Sequence, residues 1–293
     1  MRLGAIKAGG TAVVCAIGNE RGRVSERRAI PTRLPEETVA DVIGFFHGKR
    51  VDALGIGSFG PLDLDPKSPD YGTITTTPKA GWEHYPLRRT LMEAMDVPVG
   101  IDTDVNASAL AEANLGAGVG VNSLVYYNIS TGIGGGAMVT GKLLHGLVHP
   151  EMGHMLLRPD PTDPAPKGFC AYHDGCLEGL ASGKAIEKRW GMKAEDLPDD
   201  HPGWALEAEY LAQMCVNTIL LLSPERIVLG GGVMHHRSLF ADIHWLVVEK
   251  LNGYVAHRAV TESIARYIVP PALGDDAGVA GGLLLAFDAL KNQ

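Results

Sequence analysis

Short apolar runs separated by glycine turns dominate the start of the chain. Residues 3–7, apolar up to Lys7, and the apolar run 12–17, with β-branched residues, flank Gly9-Gly10, which predicts two strands joined by a tight turn. Residues 21–28 mix arginines with Glu26, which predicts the solvated edge of a hairpin. Pro35 opens a predicted helix through about 49, with Glu36 and Glu37 in the first turn where the helix dipole favours them. Residues 51–57 then read as a buried strand and 61–78 as a Pro- and Asp-rich loop. A helix over 86–95, a strand over 97–101 and a helix over 106–115 come next.

The pattern then begins again. Residues 124–129 predict a strand, Gly132-Ile133-Gly134-Gly135-Gly136 a turn, and 137–140 a strand leading back out. Helices are expected over 183–190, 205–222, 239–251 and 276–290, with a strand over 226–229 that ends in Gly230-Gly231-Gly232. Each half thus starts with a hairpin whose turn is rich in glycine. Turns of this kind present backbone N–H groups to an anion and suit the phosphates of a nucleotide. The alternative is that the glycines only make tight hairpins. Gly132-x-Gly134-x-x-Ala137 is not a dinucleotide fingerprint, because Met138-Val139-Thr140-Gly141 continues as strand and turn instead of opening a helix.

With 293 residues the chain is long enough for two α/β domains. A net charge of −8 argues against a nucleic-acid partner. The longest apolar run, 279–287, holds nine residues, against the roughly 20 a membrane span needs. The first residues are too short an apolar stretch for a signal peptide, so a cytoplasmic protein without membrane contact is expected. In that compartment disulfides are rare, so the four cysteines are first read as core thiols or metal ligands.

Cys170-x-x-His173-x-x-Cys176 lies in a Pro- and Gly-rich loop, with His154 upstream. Two thiolates and two imidazoles match a closed, tetrahedral structural zinc, with His145 and His149 as possible substitutes for His154. His149-x-Glu151-x-x-His154 lacks the spacing of a metalloprotease. Cys15 and Cys215 sit in apolar contexts and read as core. Asp102-Thr103-Asp104-Val105-Asn106 falls where a strand ends and a helix begins, the usual place for reacting groups in open α/β sheets. Asp104 or Asn106 could instead cap the helix. Glu151 and Glu178 flank the cysteine loop, so a metal there would hold both in place.

With these motifs assembled, the whole chain resembles the ROK family of sugar kinases and regulators, and within it the zinc-containing bacterial fructokinases. The resemblance is carried by Ala8-Gly9-Gly10-Thr11, Gly55-Ile56-Gly57-Ser58-Phe59-Gly60-Pro61, Thr103-Asp104-Val105-Asn106, Thr131-Gly132-Ile133-Gly134, His149-Pro150-Glu151-Met152-Gly153-His154, the Cys-His-Cys loop, Glu178-Gly179-Leu180-Ala181-Ser182-Gly183 and Leu229-Gly230-Gly231-Gly232. It implies a two-domain α/β fold of the actin/hexokinase (RNase H-like) type, with an interdomain cleft and a structural zinc loop. Residues 1–110, completed by 276–293, would form the first domain, and 111–275, with the zinc loop at 154–178, the second. It further implies ATP-dependent phosphorylation of a hexose, fructose first, with Asp104 as general base. Gly60, Thr103, Asp104 itself, Glu151, His154 and Glu178 would hold the sugar. Gly9, Gly10, Thr11, Thr131, Gly132, Lys184, Gly231 and Gly232 would hold the nucleotide. Structural Zn²⁺ on His154, Cys170, His173 and Cys176, Mg²⁺ with ATP, and a homodimer complete the implied set.

The chain departs from the family pattern at Lys7, where the family has an acidic residue, and at Ala12, where it often has lysine. A pair of unit charges at ~4 Å is worth roughly 4 kcal/mol at an effective dielectric of 20. Reversing the charge at residue 7 is therefore not neutral for phosphate chemistry. Three readings stay open at this level: a kinase in which Lys7 reaches the phosphates, a sugar- or nucleotide-binding protein without transfer chemistry, and a different reaction on a sugar or sugar phosphate that uses Lys7 as phosphate anchor or nucleophilic amine.

Overall fold

The computed structural model describes residues 1–292. The chain forms β1 (Leu3–Ala8), β2 (Ala12–Gly18), β3 (Val24–Pro31), α1 (Pro35–Phe46), β4 (Ala53–Ser58), α2 (Leu87–Met95), β5 (Val99–Thr103) and α3 (Asp104–Leu115). It continues with β6 (Leu124–Ile129), β7 (Ile133–Val139), β8 (Lys142–Leu143), α4 (Leu177–Ala181), α5 (Gly183–Trp190), α6 (Gly203–Leu222), β9 (Arg226–Gly230), α7 (Leu239–Leu251), α8 (Arg258–Thr261), α9 (Ile264–Tyr267), β10 (Ile268–Val269) and α10 (Ala277–Lys291). These elements fall into two compact units. The first combines residues 1–119, 142–150 and the segment from Asp276 onward; the second combines 120–141 and 151–275. None of the described helices is long and apolar enough to cross a membrane.

In the first unit the sheet order is β3-β2-β1-β4-β5. β1 pairs antiparallel with β2, while β1, β4 and β5 run parallel. The alternation of the strands sends their side chains to two different layers. Ile6, Cys15, Ile17, Leu54 and Ile56 meet Val42, Phe45 and Phe46 of α1 and Leu87 and Leu91 of α2. Leu3, Ala5, Ala16 and Ala53 meet Val279, Leu283 and Ala286 of α10 on the opposite face. Phe46 is 1% exposed, and burying a side chain of that size is worth roughly 1.5–3 kcal/mol. The segment expected as a hairpin edge is mostly a full strand, β3, with Ser25–Arg28 exposed. Charge at a sheet edge hinders pairing with other chains.

The second sheet has the order β10-β9-β6-β7-β8, and its first four strands belong to the second unit. β6 pairs antiparallel with β7 and parallel with β9. The long helix α6 buries Tyr210, Leu211, Met214 and Cys215, and Tyr127 of β6 shares a 2.7 Å hydrogen bond with Thr218 of α6. One expectation is corrected here. The glycine turn is confined to Ser130–Gly132, while Ile133 to Gly136 belong to β7 and pair with Tyr126 to Ile129. Glycine density imitates a turn signal; at Gly135 the lack of a side chain admits Met152 and Tyr127 instead. Cys15 and Cys215 are fully buried, and burial pushes the Cys15 thiol up to about 12 and raises Cys215 as well. Neither is a thiolate at neutral pH, in keeping with a core role.

Candidate active site

Parallel pairing brings the carboxyl ends of three strands of the first unit level with one another: Ala8 is opposite Ser58, and Ser58 is opposite Thr103. Lys7, the turn Gly9-Gly10-Thr11, Gly60 and the Thr103-Asp104 pair therefore all lie at one end of that sheet, the end where open α/β sheets bind ligands. The turn is closed by Gly9 N–H donating to Ala12 O at 3.0 Å and is tied to the start of the Thr32 segment by Thr32 Oγ1 donating to Gly9 O at 2.9 Å. Lys79 donates its ammonium to Gly10 O.

At the β5–α3 junction the helix cap is Thr103, whose Oγ1 accepts from Asn106 N–H at 3.1 Å. The cap is therefore neither Asp104 nor Asn106, and the Asp104 carboxylate is not consumed by that task. Asp104 is partly buried; burial raises its pKa, and the Lys7 ammonium opposes that rise, with backbone N–H groups helping. The stem of Lys7 lies against Gly278 of α10, where an added Cβ would come within 2.8 Å of Lys7 Cδ. Lys7 is thus a half-buried neighbour of Asp104 and not a free strand-end lysine.

Asp102, the first residue of that motif, orders the junction, and two histidines considered for the zinc site lie in the same unit. Asp102 is 4% exposed; its Oδ1 accepts from Thr103 N–H at 2.7 Å and from Asn106 Nδ2 at 2.8 Å. Its Oδ2 lies 2.8 Å from His145 Nε2. The paired carboxylate raises the His145 pKa. His149 accepts at Nε2 from Leu62 N–H at 3.0 Å, and burial lowers its pKa. Both imidazoles belong to the first unit, so neither joins the cysteine cluster as a substitute ligand. The spacing His145-x-x-x-His149 is the available signal, and next to a cysteine loop it points first to metal chemistry.

The second unit collects its own set around the carboxyl ends of β6 and β9. Gly183 N–H donates to Ser130 O at 2.7 Å and Lys184 N–H to Thr131 O at 3.3 Å, which docks the start of α5 on the turn holding Thr131 and Gly132. Glu178 Oε2 accepts from Ile133 N–H at 3.0 Å. The turn Met152–His154 lies so close to β7 that a Cβ at Gly153 would stand 1.8 Å from Ile133 O. Gly231 has φ +95° and would place a Cβ 2.2 Å from Ile129 O, so only glycine fits there. Gly232 beside it faces open space. Thr131, Gly132, Glu178, Lys184 and Gly231 are thereby brought together, with Glu151 and His154 at the start of β7.

The ligand atoms of His154, Cys170, His173 and Cys176 all lie within 4.8 Å of one another. Cys170 Sγ is 3.8 Å from His154 Nδ1 and 3.7 Å from His173 Nδ1, and Cys176 Sγ is 3.8 Å from His154 Nδ1. A tetrahedron with ordinary Zn–S and Zn–N bonds has S···N edges of roughly 3.6 Å, so the spacing fits. Both sulfurs also receive backbone N–H groups at 3.4 Å, Cys170 from Tyr172 and Cys176 from Gly179, which hold them within the cluster. The donor set fits zinc, and four protein ligands leave no open coordination position.

The loop between these ligands has a second anchor. Arg189 grips Asp163 through Nε at 2.9 Å and Nη2 at 3.1 Å, both side chains being almost wholly buried. Arg189 Nη1 also donates to Leu180 O, and Tyr210 Oη donates to Asp163 at 2.6 Å.

The ROK family pattern matches residues 3–289. A Bacillus subtilis (strain 168) protein, named provisionally as a fructokinase, is 50% identical over 99% of this chain and 97% of its own length. The fructokinase of Pediococcus pentosaceus is 46% identical, with both chains covered in full. Among solved structures, the ROK hexokinase of Thermus thermophilus aligns with a TM-score of 0.79 at 27% identity, again over the whole of both chains. The two sheets, the residues at their carboxyl ends and this full-length likeness lead to one assignment: the chain belongs to the ROK family.

Proposed function

We propose that this protein transfers the γ-phosphoryl group of ATP to a hexose, with fructose as the foremost substrate and fructose 6-phosphate as the product. The observation that carries the reading is Asp104, partly buried at the end of β5, in a chain alike over its full length to fructokinases. The Asp104 carboxylate accepts the proton of the attacking hydroxyl while that oxygen forms its bond to phosphorus. The bond from phosphorus to the bridging oxygen breaks, and ADP leaves. A raised pKa suits this role, because a stronger base takes the proton more readily once ionised, and Lys7 keeps the ionised form accessible.

The remaining hydroxyls fall to Gly60, Thr103, Glu151, His154 and Glu178, as the family likeness implies. Gly9, Gly10, Thr11, Thr131, Gly132, Lys184, Gly231 and Gly232 receive the nucleotide. Zinc on His154, Cys170, His173 and Cys176 acts as a cross-link that fixes the segments bearing Glu151 and Glu178. Mg²⁺ arriving with ATP would supply neutralisation of phosphate charge; the ammonium of Lys7 does not fit a metal-holding role at the end of β1, so no step is assigned to the ion. The exposed Leu221 and Trp245 of α6 and α7 support a homodimer.

The test is an ADP-release assay with fructose, mannose, glucose and an amino sugar, with and without Mg²⁺, beside the double variant Lys7→Glu/Ala12→Lys. Fructose-dependent ADP release is expected. Hexose binding with no ADP release in any arm would leave a binding protein, and product formed without nucleotide would mean another reaction. Elemental analysis should find one zinc per chain, lost in Cys176→Ser.

A further inference from the structure

The segment 142–150 carries two imidazoles that are held in opposite ways. His149 is 4% exposed and accepts the Leu62 N–H bond, which ties the segment to the first unit. His145 has a side chain 38% exposed, and its Nε2 meets the buried Asp102 at 2.8 Å. A carboxylate on one ring nitrogen fixes which nitrogen carries the proton and leaves the other oriented for work. Among the described residues the Nδ1 of His145 makes no hydrogen bond. The same carboxylate, through its other oxygen, takes Thr103 N–H and Asn106 Nδ2. One buried group therefore aligns both His145 and the strand–helix junction that presents Asp104. A histidine needed only to close a loop would have no reason to share the carboxylate that orders this junction.

We infer that His145 is a further substrate-binding residue, whose free Nδ1 hydrogen-bonds a hydroxyl of the hexose that offers its reacting hydroxyl to Asp104. Asp102 is the positioning residue behind it. The inference rests on the hexose reading of the Asp104 site and adds a contact that discriminates among hexoses. A sugar hydroxyl both donates and accepts, so it matches the imidazole in either protonation state.

Two replacements separate contact from scaffolding, because asparagine places a polar atom near the position of Nδ1 and glutamine near that of Nε2. Hexose affinity of the full chain is measured by titration calorimetry with fructose, and turnover by ADP release. His145→Ala should weaken fructose about 10–100-fold, the loss of one well-placed hydrogen bond to a polar or charged group. The KM for ATP and the turnover number at saturating fructose should stay within about threefold. His145→Asn should recover more affinity than His145→Gln. Against the deoxyhexose lacking the contacted hydroxyl, wild type and His145→Ala should bind alike. Recovery by glutamine and not asparagine, equal losses for fructose and ATP, or unchanged fructose affinity would overturn the inference while leaving the kinase reading intact. A wild-type chain that binds no hexose at all would overturn both.

Discussion

The two segments that carry the candidate chemistry are held in place by different physics. The junction 102–106 is organised by regular structure: a parallel strand feeds a helix, Thr103 caps it, and the buried Asp102 satisfies the first backbone and side-chain donors. The segment from Glu151 to the start of α4 at Leu177 has little regular structure beyond a single turn at Met152–His154. It is fixed by side chains instead, through the four-ligand cluster and the Arg189–Asp163 fork. A reacting group must be held to within a fraction of an ångström, and secondary structure supplies that directly. Groups that only bind hydroxyls can sit on a loop, provided the loop is cross-linked.

The sharpest way to break the comparison is Asp104→Asn, which keeps the shape of the junction and removes its base. Turnover should fall by about 10²–10⁴-fold, while fructose affinity by calorimetry changes little. Equal loss of binding and turnover would place Asp104 among the scaffold. Next comes Arg189→Met, which leaves Asp163 buried without its cation. Chemical denaturation should register a loss of about 3–5 kcal/mol, arising wholly in the loop half. Thr103→Val removes the cap of α3 and should cost about 1 kcal/mol, the junction being backed by the hydrogen bonds of Asp102. A loss as large as that of Arg189→Met would erase the contrast.

The smallest effect is expected from Lys7→Met, read in a pH profile of kcat/KM. In the proposed role Asp104 acts ionised, so activity should be lost as pH falls through its pKa, which burial raises and Lys7 lowers. Without the ammonium that pKa rises further, and the acid limb should move to higher pH. An unmoved limb would remove Lys7 from the electrostatics of the base.

Most of the regular elements are legible in the sequence because their patterns are local. The strand over 124–129, the helices over 183–190 and 239–251, and the Thr103–Asn106 junction follow from apolar spacing, and they stand within a residue or two of where that spacing places them. The cysteine cluster is legible because thiolates and imidazoles so spaced have few other uses. The Arg189–Asp163–Tyr210 network is not: Arg189 and Tyr210 lie 26 and 47 residues from Asp163, and nothing in any one of them signals burial. The Asp102–His145 pair, 43 residues apart, is hidden for the same reason. The glycine-rich start of β7 misleads because glycine reports close approach and turning alike.

The last helix has a consequence for how the molecule comes into being. Leu3, Ala5, Ala16 and Ala53 are covered by Val279, Leu283 and Ala286 of α10. On a ribosome, the residues that shelter these strands therefore emerge only after the whole of the second unit. The half begun first is completed second, and its bare face must stay soluble while the other half is made.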